Sequence, residues 1–223
     1  MNKFCAIHQP NFLPWLGFFY KIQNSDVFII LDDVEISLSS AKAITNRTRI
    51  KTQQSVQYLT VPVLKGSSML IKDIKIDNKQ NWRTKHLKTI YYSYKKVVGF
   101  EFVYPFVEKL YSLETDSLSE FNVESIKLIM RLLNVEKDLL LASEIENIST
   151  DRNQRIIDLC NYTNSSNYLS GFGAKKYHNE ELFSLNSVNI VYTDFVHPVY
   201  EQAHGDFVEG LSAIDYCFNK VWK

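Results

Sequence analysis

Phe4-Cys5-Ala6-Ile7-His8-Gln9-Pro10-Asn11-Phe12-Leu13-Pro14-Trp15-Leu16-Gly17-Phe18-Phe19-Tyr20-Lys21-Ile22 opens the chain and decides how the rest of it is read. An apolar run ends in His8, a turn with two prolines follows, and an aromatic segment of helical character leads to Ser25-Asp26 and a second apolar run, Val27-Phe28-Ile29-Ile30-Leu31. The pattern predicts strand, loop, helix, strand. Strands joined by a helical crossover run parallel, so His8 and the pair Asp32-Asp33 are expected at one edge of one sheet. Open α/β sheets bind their ligands at that carboxyl edge.

Composition narrows the field. A chain of 223 residues buries a core without staples, and 45% apolar with 22% charged residues is the balance of a globular protein. Lysine plus arginine equals aspartate plus glutamate at 25 each, so no bulk field gathers nucleic acid, and phosphate contacts must be local. Cys5, Cys160 and Cys217 are odd in number and set in apolar surroundings, which predicts reduced core thiols in a cytoplasmic protein. His8 to Asn11 interrupt any signal-peptide core, and no run reaches the roughly 18 apolar residues of a membrane span.

Beyond Asp33 the serine-rich stretch Ser37 to Ser40 runs into Thr45-Asn46-Arg47-Thr48-Arg49-Ile50-Lys51 without clear periodicity, and reads as a long loop or a short irregular element. Tyr58 to Val63 is β-rich with Pro62 at its edge, and the alternation over Ile71, Ile74 and Ile76 predicts a short strand. From Asn81 the pattern turns helical. Trp82, Leu87, Ile90, Tyr91 and Tyr94 mark one helix, Phe102 to Leu113 a second, and Leu118 to Leu133, capped by Asp116 or Ser117, a third. Residues 79–135 are therefore expected to be a helical insertion within a single domain, 1–223. The sheet pattern resumes at Leu139-Leu140-Leu141-Ala142, followed by a helix from Thr150 or Asp151. Asn167 to Ser170 reads as a strand entering a glycine turn and a helix, Val188 to Tyr192 as a further strand, and Ser212 to Phe218 as a closing helix.

Polar groups gather at the predicted strand ends. His8 titrates near neutrality in its free state, the currency of a general base. Asp32 and Asp33 have the chemistry to orient His8, to hold a divalent metal or to accept sugar hydroxyls, as well as to cap a turn. Arg47 and Arg49, two apart, suit a diphosphate if extended. Ser170 to Lys176 combines glycines, a hydroxyl and two lysines in an anion-binding pattern. The phosphate-loop and dinucleotide glycine fingerprints are absent, as are zinc spacings and a nucleophile elbow, so neither a metal nor a covalent nucleophile is predicted.

An ordered set of motifs then resembles the WbqC-like protein family. They are Ile7 to Phe19, Ser25-Asp26-Val27-Phe28 with Leu31-Asp32-Asp33-Val34, Asn46-Arg47 with Arg49-Ile50-Lys51, Leu59 to Val63, Tyr168-Leu169-Ser170-Gly171 with Ala174-Lys175, and His197-Pro198 with Tyr200 and Gln202. The chain departs from that pattern at Ser39-Ser40-Ala41-Lys42-Ala43-Ile44, where the family carries a basic and aromatic run. The resemblance implies an enzyme of bacterial surface-polysaccharide biosynthesis, the O-antigen of lipopolysaccharide or a capsule, acting in the cytoplasm on a nucleotide-activated amino sugar. Transfer of an acyl or aminoacyl group, delivered by an acyl or aminoacyl carrier protein, is the expected reaction. His8, Asp32 and Asp33 are the implied catalytic residues. Gln9, Asn11, Trp15, Asn46, Arg47, Arg49, Ser170, Lys175, His197, Tyr200 and Gln202 are the implied substrate contacts. A non-catalytic sugar-nucleotide or carrier-protein binding module and a nucleotidyltransferase-like enzyme are the alternatives. The strand, histidine turn, helix and strand also look like the plan of HUP-type nucleotidylyltransferases, without their HxGH motif. The expected fold is α/β, a mostly parallel Rossmann-like or HUP-like sheet flanked by helices, with a helical subdomain in mid-chain. No cofactor is named by any motif.

Overall fold

The computed structural model describes residues 2–36, 44–64, 66 and 70–222. The serine-rich stretch from Ser37 to Ala43, and with it most of the departure from the family pattern, lies outside the described residues. In chain order the strands are β1 (Phe4–His8), β2 (Val27–Ile30), β3 (Arg47–Lys51), β4 (Val56–Thr60), β5 (Leu139–Leu141), β6 (Asn167–Ser170) and β7 (Asn189–Tyr192). The α-helices are α1 (Leu16–Gln23), α2 (Trp82–Tyr94), α3 (Phe100–Tyr111), α4 (Leu118–Leu133), α5 (Arg152–Tyr162), α6 (Glu180–Leu185) and α7 (Ala213–Asn219). The chain divides into two units, the first made of Met1–Gln9, Gly17–Asp33 and Glu136–Val196, the second of Pro10–Leu16, Val34–Val135 and His197–Lys223.

The first unit is a five-stranded, wholly parallel sheet in the order β5-β2-β1-β6-β7. That order winds outward from β1 in both directions, which makes it a doubly wound, Rossmann-like α/β fold flanked by helices. Strand alternation sorts the packing. Cys5, Ile7, Ile29 and Tyr168 pack with Ile156, Ile157, Leu159 and Cys160 of α5 and Phe183 of α6. On the alternate positions Ala6, Phe28 and Ile30 are fully buried, and Phe18 of α1 meets Phe28 at a ring separation of 5.3 Å. Burying a leucine- or phenylalanine-sized side chain stabilises by about 1.5–3 kcal/mol, so these two faces supply the bulk of the sheet's stability. Asp151 begins α5, its carboxylate accepting from Asn153 N and Gln154 N at 3.0 Å each. All three cysteines are free and buried.

The second unit holds α2, α3, α4 and α7 and a two-stranded antiparallel sheet of β3 and β4. Its core is aromatic: Phe12, Trp82, His86, Tyr111 and Phe121 interlock, with Phe12 stacked on Phe121 at 5.8 Å and Trp82 edge-on to it at 5.3 Å. Ser117 caps α4, accepting from Glu120 N at 3.3 Å, and Asn134 ends it in the left-handed conformation. No helix among the described residues is long and apolar enough to cross a membrane.

Two segments differ from the reading of the sequence. Arg47–Lys51 is a strand rather than loop, because Thr48 and Ile50 turn inward and the arginines between them turn out. Ile71–Asp73 is a 3-10 turn rather than a strand, since Ile71 and Ile74 sit three apart with Ile74 N bonded to Ile71 O at 3.2 Å; after it the chain is extended, with isolated bridges from Lys75 to Ser117 and from Ile76 to Val63.

Candidate functional site

The parallel sheet has its topological switch between β1 and β6. These strands pair through Phe4↔Asn167, Cys5↔Tyr168 and Ala6↔Leu169 and then part, while β1 continues beside β2 to His8↔Ile30. His8 and Gln9 therefore leave one side of the parting, and Ser170 and Gly171 the other, at the carboxyl edge where this fold class binds ligands. His8 is half-buried, its ring edge-on to Phe18 at 4.9 Å. Its Nδ1 lies 3.0 Å from the Gln9 carbonyl oxygen. A carbonyl only accepts, so Nδ1 carries the proton and Nε2 holds the lone pair. Burial, with the nearby Lys21 ammonium, pushes the imidazole pKa down to about 4 against the opposing pull of the Gln9 carbonyl. The ring is neutral at pH 7.

Lys21 is the residue that sequence reading missed here. It is 6% exposed, and its Nζ donates to the Ile7 carbonyl at 3.0 Å, one residue before His8. Burial lowers its pKa to about 8. A lone cation in the last turn of an otherwise largely apolar α1 was the available signal.

The two aspartates are engaged elsewhere. Asp32 is 2% exposed and accepts from Ser143 N at 3.0 Å and Ser143 Oγ at 2.7 Å, fastening β2 to β5. Asp33 pairs with Arg155 Nη1 at 3.1 Å. Ser170 is fully buried with its hydroxyl 3.3 Å from the Gly171 carbonyl. The segment after it, Phe172–Tyr177, is 3-10 and not α-helical, and Lys175 Nζ stands 5.5 Å from the centre of the Tyr192 ring.

The second unit has a cavity of about 410 Å³. Arg47 and Arg49 share one face of β3, and the ladder sets Arg49 opposite Tyr58 of β4. The Arg47 guanidinium lies 4.6 Å over the Tyr58 ring, and Arg49 Nη2 donates to Glu209 O at 3.3 Å and Gly210 O at 3.1 Å. Asn11, Phe12, Pro14, Trp15, Ile44 and Thr48 complete the lining with these residues and Gly210. The loop that carries Asn11 to Trp15 is bolted down. Asn122 Nδ2 donates to Pro10 O at 2.8 Å and Thr45 O at 2.7 Å, Phe12 N reaches Thr45 O at 3.1 Å, and Ala213 N reaches Pro14 O at 2.8 Å. Leu13 is held at φ 42°, a left-handed conformation that strains a non-glycine residue. Ser125 Oγ takes its N–H at 3.1 Å and the Thr48 hydroxyl donates to its carbonyl at 2.9 Å. Trp15 is 38% exposed, whereas Phe18 and Phe19 are buried.

The remaining expected contacts are placed as follows. Asn46 Nδ2 donates to Val61 O at 3.0 Å, tying β3 to the end of β4. Tyr200 donates to Asp215 Oδ1 at 2.8 Å, and Tyr94 donates to Oδ2 of the same buried carboxylate at 2.7 Å. Burial raises the Asp215 pKa while these two hydroxyls pull it down. Gln202 accepts from Val208 N and Lys51 Nζ and donates to Val208 O and Tyr200 Oη, which orders the loop beside β3. His197 Nδ1 meets Pro198 O at 3.0 Å, with Phe207 5.6 Å from its ring. Thus His8, Gln9, Asp32, Asp33, Ser170 and Lys175 belong to the first unit, and Asn11, Trp15, Asn46, Arg47, Arg49, His197, Tyr200 and Gln202 to the second. Tyr58 was missed as a lining residue; its place across the ladder from Arg49 appears only once Arg47–Lys51 is known to be a strand. Among the described residues no three His, Cys, Asp or Glu side chains are grouped to hold a metal ion.

Comparison with known proteins agrees with the motif pattern. A family model described as the WbqC-like protein family matches residues 9–223. A protein of Mycobacterium tuberculosis described as uncharacterized protein Rv1507c is 30% identical over 221 residues, covering 97% of this chain and 94% of its own length. No solved structure matches.

Proposed function

This chain belongs to the WbqC-like protein family, a membership that suggests a polysaccharide-associated function, and we propose that it transfers an acyl or aminoacyl group to a nucleotide-linked amino sugar in surface-polysaccharide biosynthesis. The observation that carries this reading is the state of His8: a neutral imidazole at the switch point of a doubly wound sheet, with Nδ1 fixed on a carbonyl. Its Nε2 takes a proton from the amine nitrogen as that nitrogen attacks the carbonyl carbon of the donor. The C–N bond forms, the C–S bond of a carrier thioester breaks, and the leaving thiolate recovers the proton. Lys175 and the backbone N–H groups after Ser170 are the anion contacts available on the same edge.

His8→Gln is expected to lower kcat/KM by about 10²- to 10⁴-fold, the usual contribution of a positioned acid–base group. Its melting temperature should stay close to that of the parent. Unchanged turnover on a panel of nucleotide-linked amino sugars with carrier-bound acyl donors would sink the assignment.

A second reading, a sugar-nucleotide or carrier-protein binding module without turnover, is favoured by the engagement of Asp32 and Asp33 with Ser143 and Arg155, which leaves those carboxylates bound away from the imidazole. It predicts saturable ligand binding and no product.

A further inference from the structure

We propose that the cavity of the second unit is a nucleoside diphosphate site, with the base lodged against Trp15 and Tyr58 and the phosphates held by Arg49 and Arg47. This deepens the preceding reading, and it rests on that reading for the kind of substrate. Four observations converge on it, all from residues of one unit.

The first is size. At about 410 Å³ the cavity falls within the roughly 300–1,000 Å³ range of small-ligand sites. The second is the pairing of surfaces. Trp15 and Tyr58 are 38% and 49% exposed, aromatic surface of the kind that takes a planar ring, with the Arg47 guanidinium already lying over one face of Tyr58. Phe12, Pro14 and Ile44 supply apolar wall beside them.

The third is charge. Arg49 directs only Nη2 to protein carbonyls, and its Nε and Nη1 have no acceptor among the described residues. Those donors, with the guanidinium of Arg47 two residues away on the same face, match successive phosphate oxygens. Among the described residues the lining contains no carboxylate.

The fourth observation concerns Asn11. The residue lines the cavity and is 2% exposed, yet neither Nδ2 nor Oδ1 has a hydrogen-bond partner among the described residues. A buried amide without partners is destabilising in the free protein and needs an explanation. A donor and an acceptor side by side are complementary to the edge of a nucleobase, which offers the reverse pair. The strained Leu13 next to Asn11, clamped by Ser125 and Thr48, holds this segment of the lining in place.

The test is titration of the full chain with UDP and with dTDP, followed by calorimetry and by the fluorescence of Trp15, with Trp15→Phe identifying the signal. Uridine and inorganic pyrophosphate are the separate arms. The expected result is saturable binding of a nucleoside diphosphate, with uridine and pyrophosphate each at least about tenfold weaker, since neither engages both the aromatic and the cationic walls. Arg49→Gln and Tyr58→Ala are expected to weaken binding by about tenfold or more. Asn11→Leu should weaken it too while raising the melting temperature by about 2–4 °C, because the variant removes an unpaired buried amide. Pyrophosphate binding as tightly as UDP overturns the proposal, leaving only a general anion site. So does a nucleotide affinity indifferent to Arg49→Gln and Tyr58→Ala, or a loss of stability in Asn11→Leu that marks the amide as structural. Nucleotide binding without turnover leaves this inference standing and removes the transferase. Turnover with a nucleotide affinity that ignores the cavity variants does the opposite.

Discussion

Two nitrogen bases with lowered pKa values flank the end of β1, and they titrate in different windows. Lys21 falls to about 8 in the folded protein from its ordinary 10.5. Between these values the unfolded chain binds the proton that the folded chain has released, so stability rises with pH across this window and is lost as pH falls from about 10.5 to 8. The shift corresponds to at most about 3 kcal/mol. Lys21→Met is expected to abolish that slope, seen as a melting-temperature difference from the parent that grows as the buffer moves from pH 10 to pH 8. Parallel curves for the two proteins would show that Lys21 is not buried as a cation. His8 obeys the same sign at lower pH: folded-state protonation waits until about 4, and the stability it contributes disappears as pH falls from about 6.5 to 4. If it is the base, kcat/KM declines on the acid side near pH 4 and not near 6.5, a profile that distinguishes it from a solvated histidine.

Among the elements, the close meeting of α2, α3 and α7 gives the sharpest constraint. Gly99 N bonds Phe218 O at 2.8 Å, and a Cβ at Gly99 would stand 2.5 Å from that oxygen and 2.8 Å from Cys217 O. Both are backbone atoms and cannot swing aside. Gly99→Ala is expected to lose about 1–3 kcal/mol or more, measured by urea unfolding, while Gly171 and Gly173, with open space at the same position, tolerate alanine. The elements also show what a sequence conceals. The parallel strands were legible because Phe4 to Ile7 and Val27–Ile30 are unbroken apolar runs whose inner residues are buried on both faces. Arg47–Lys51 was not, because a two-stranded sheet with one outward face shows only Ile50 as an apolar mark. Ile74 and Ile76 have strand spacing and are extended, but Ile71, three residues before Ile74, turns inward from a 3-10 turn, a distinction that single-residue patterns do not carry. The candidate site was legible at His8 and in the arginine pair. The burial of Asn11 without a partner among the described residues depends on a loop held by Asn122, far away in sequence, and the pairing of Arg49 with Tyr58, though local, shows only once both segments are known to be strands.

For the molecule as a whole, the division between units falls inside the signature motif, between Gln9 and Pro10, and again at Leu16, Asp33, Val135 and Val196. Neither unit is a continuous stretch of chain. The second unit depends on its last segment through Asp215, whose carboxylate accepts the hydroxyls of Tyr94 and Tyr200, and through Phe218, stacked on Tyr94 at 4.4 Å. A chain ended after Val196 keeps every segment of the first unit, and it should lose hydrogen-exchange protection across α2, α3 and α4. Wild-type protection in those helices would contradict this. The order of segments also bears on synthesis at the ribosome. The segment Pro10 to Leu16 emerges before the groups that hold it: Thr48, then Asn122 and Ser125, and later Ala213, which bonds Pro14. Phe12 and Leu13, both buried in the finished protein, therefore wait for their partners until the helices bearing His86, Phe121 and Ser125 have been made, and Pro14 waits longer still for Ala213. A nascent chain of this design is exposed to chaperone capture over that interval, and slowed elongation lengthens the exposure rather than relieving it.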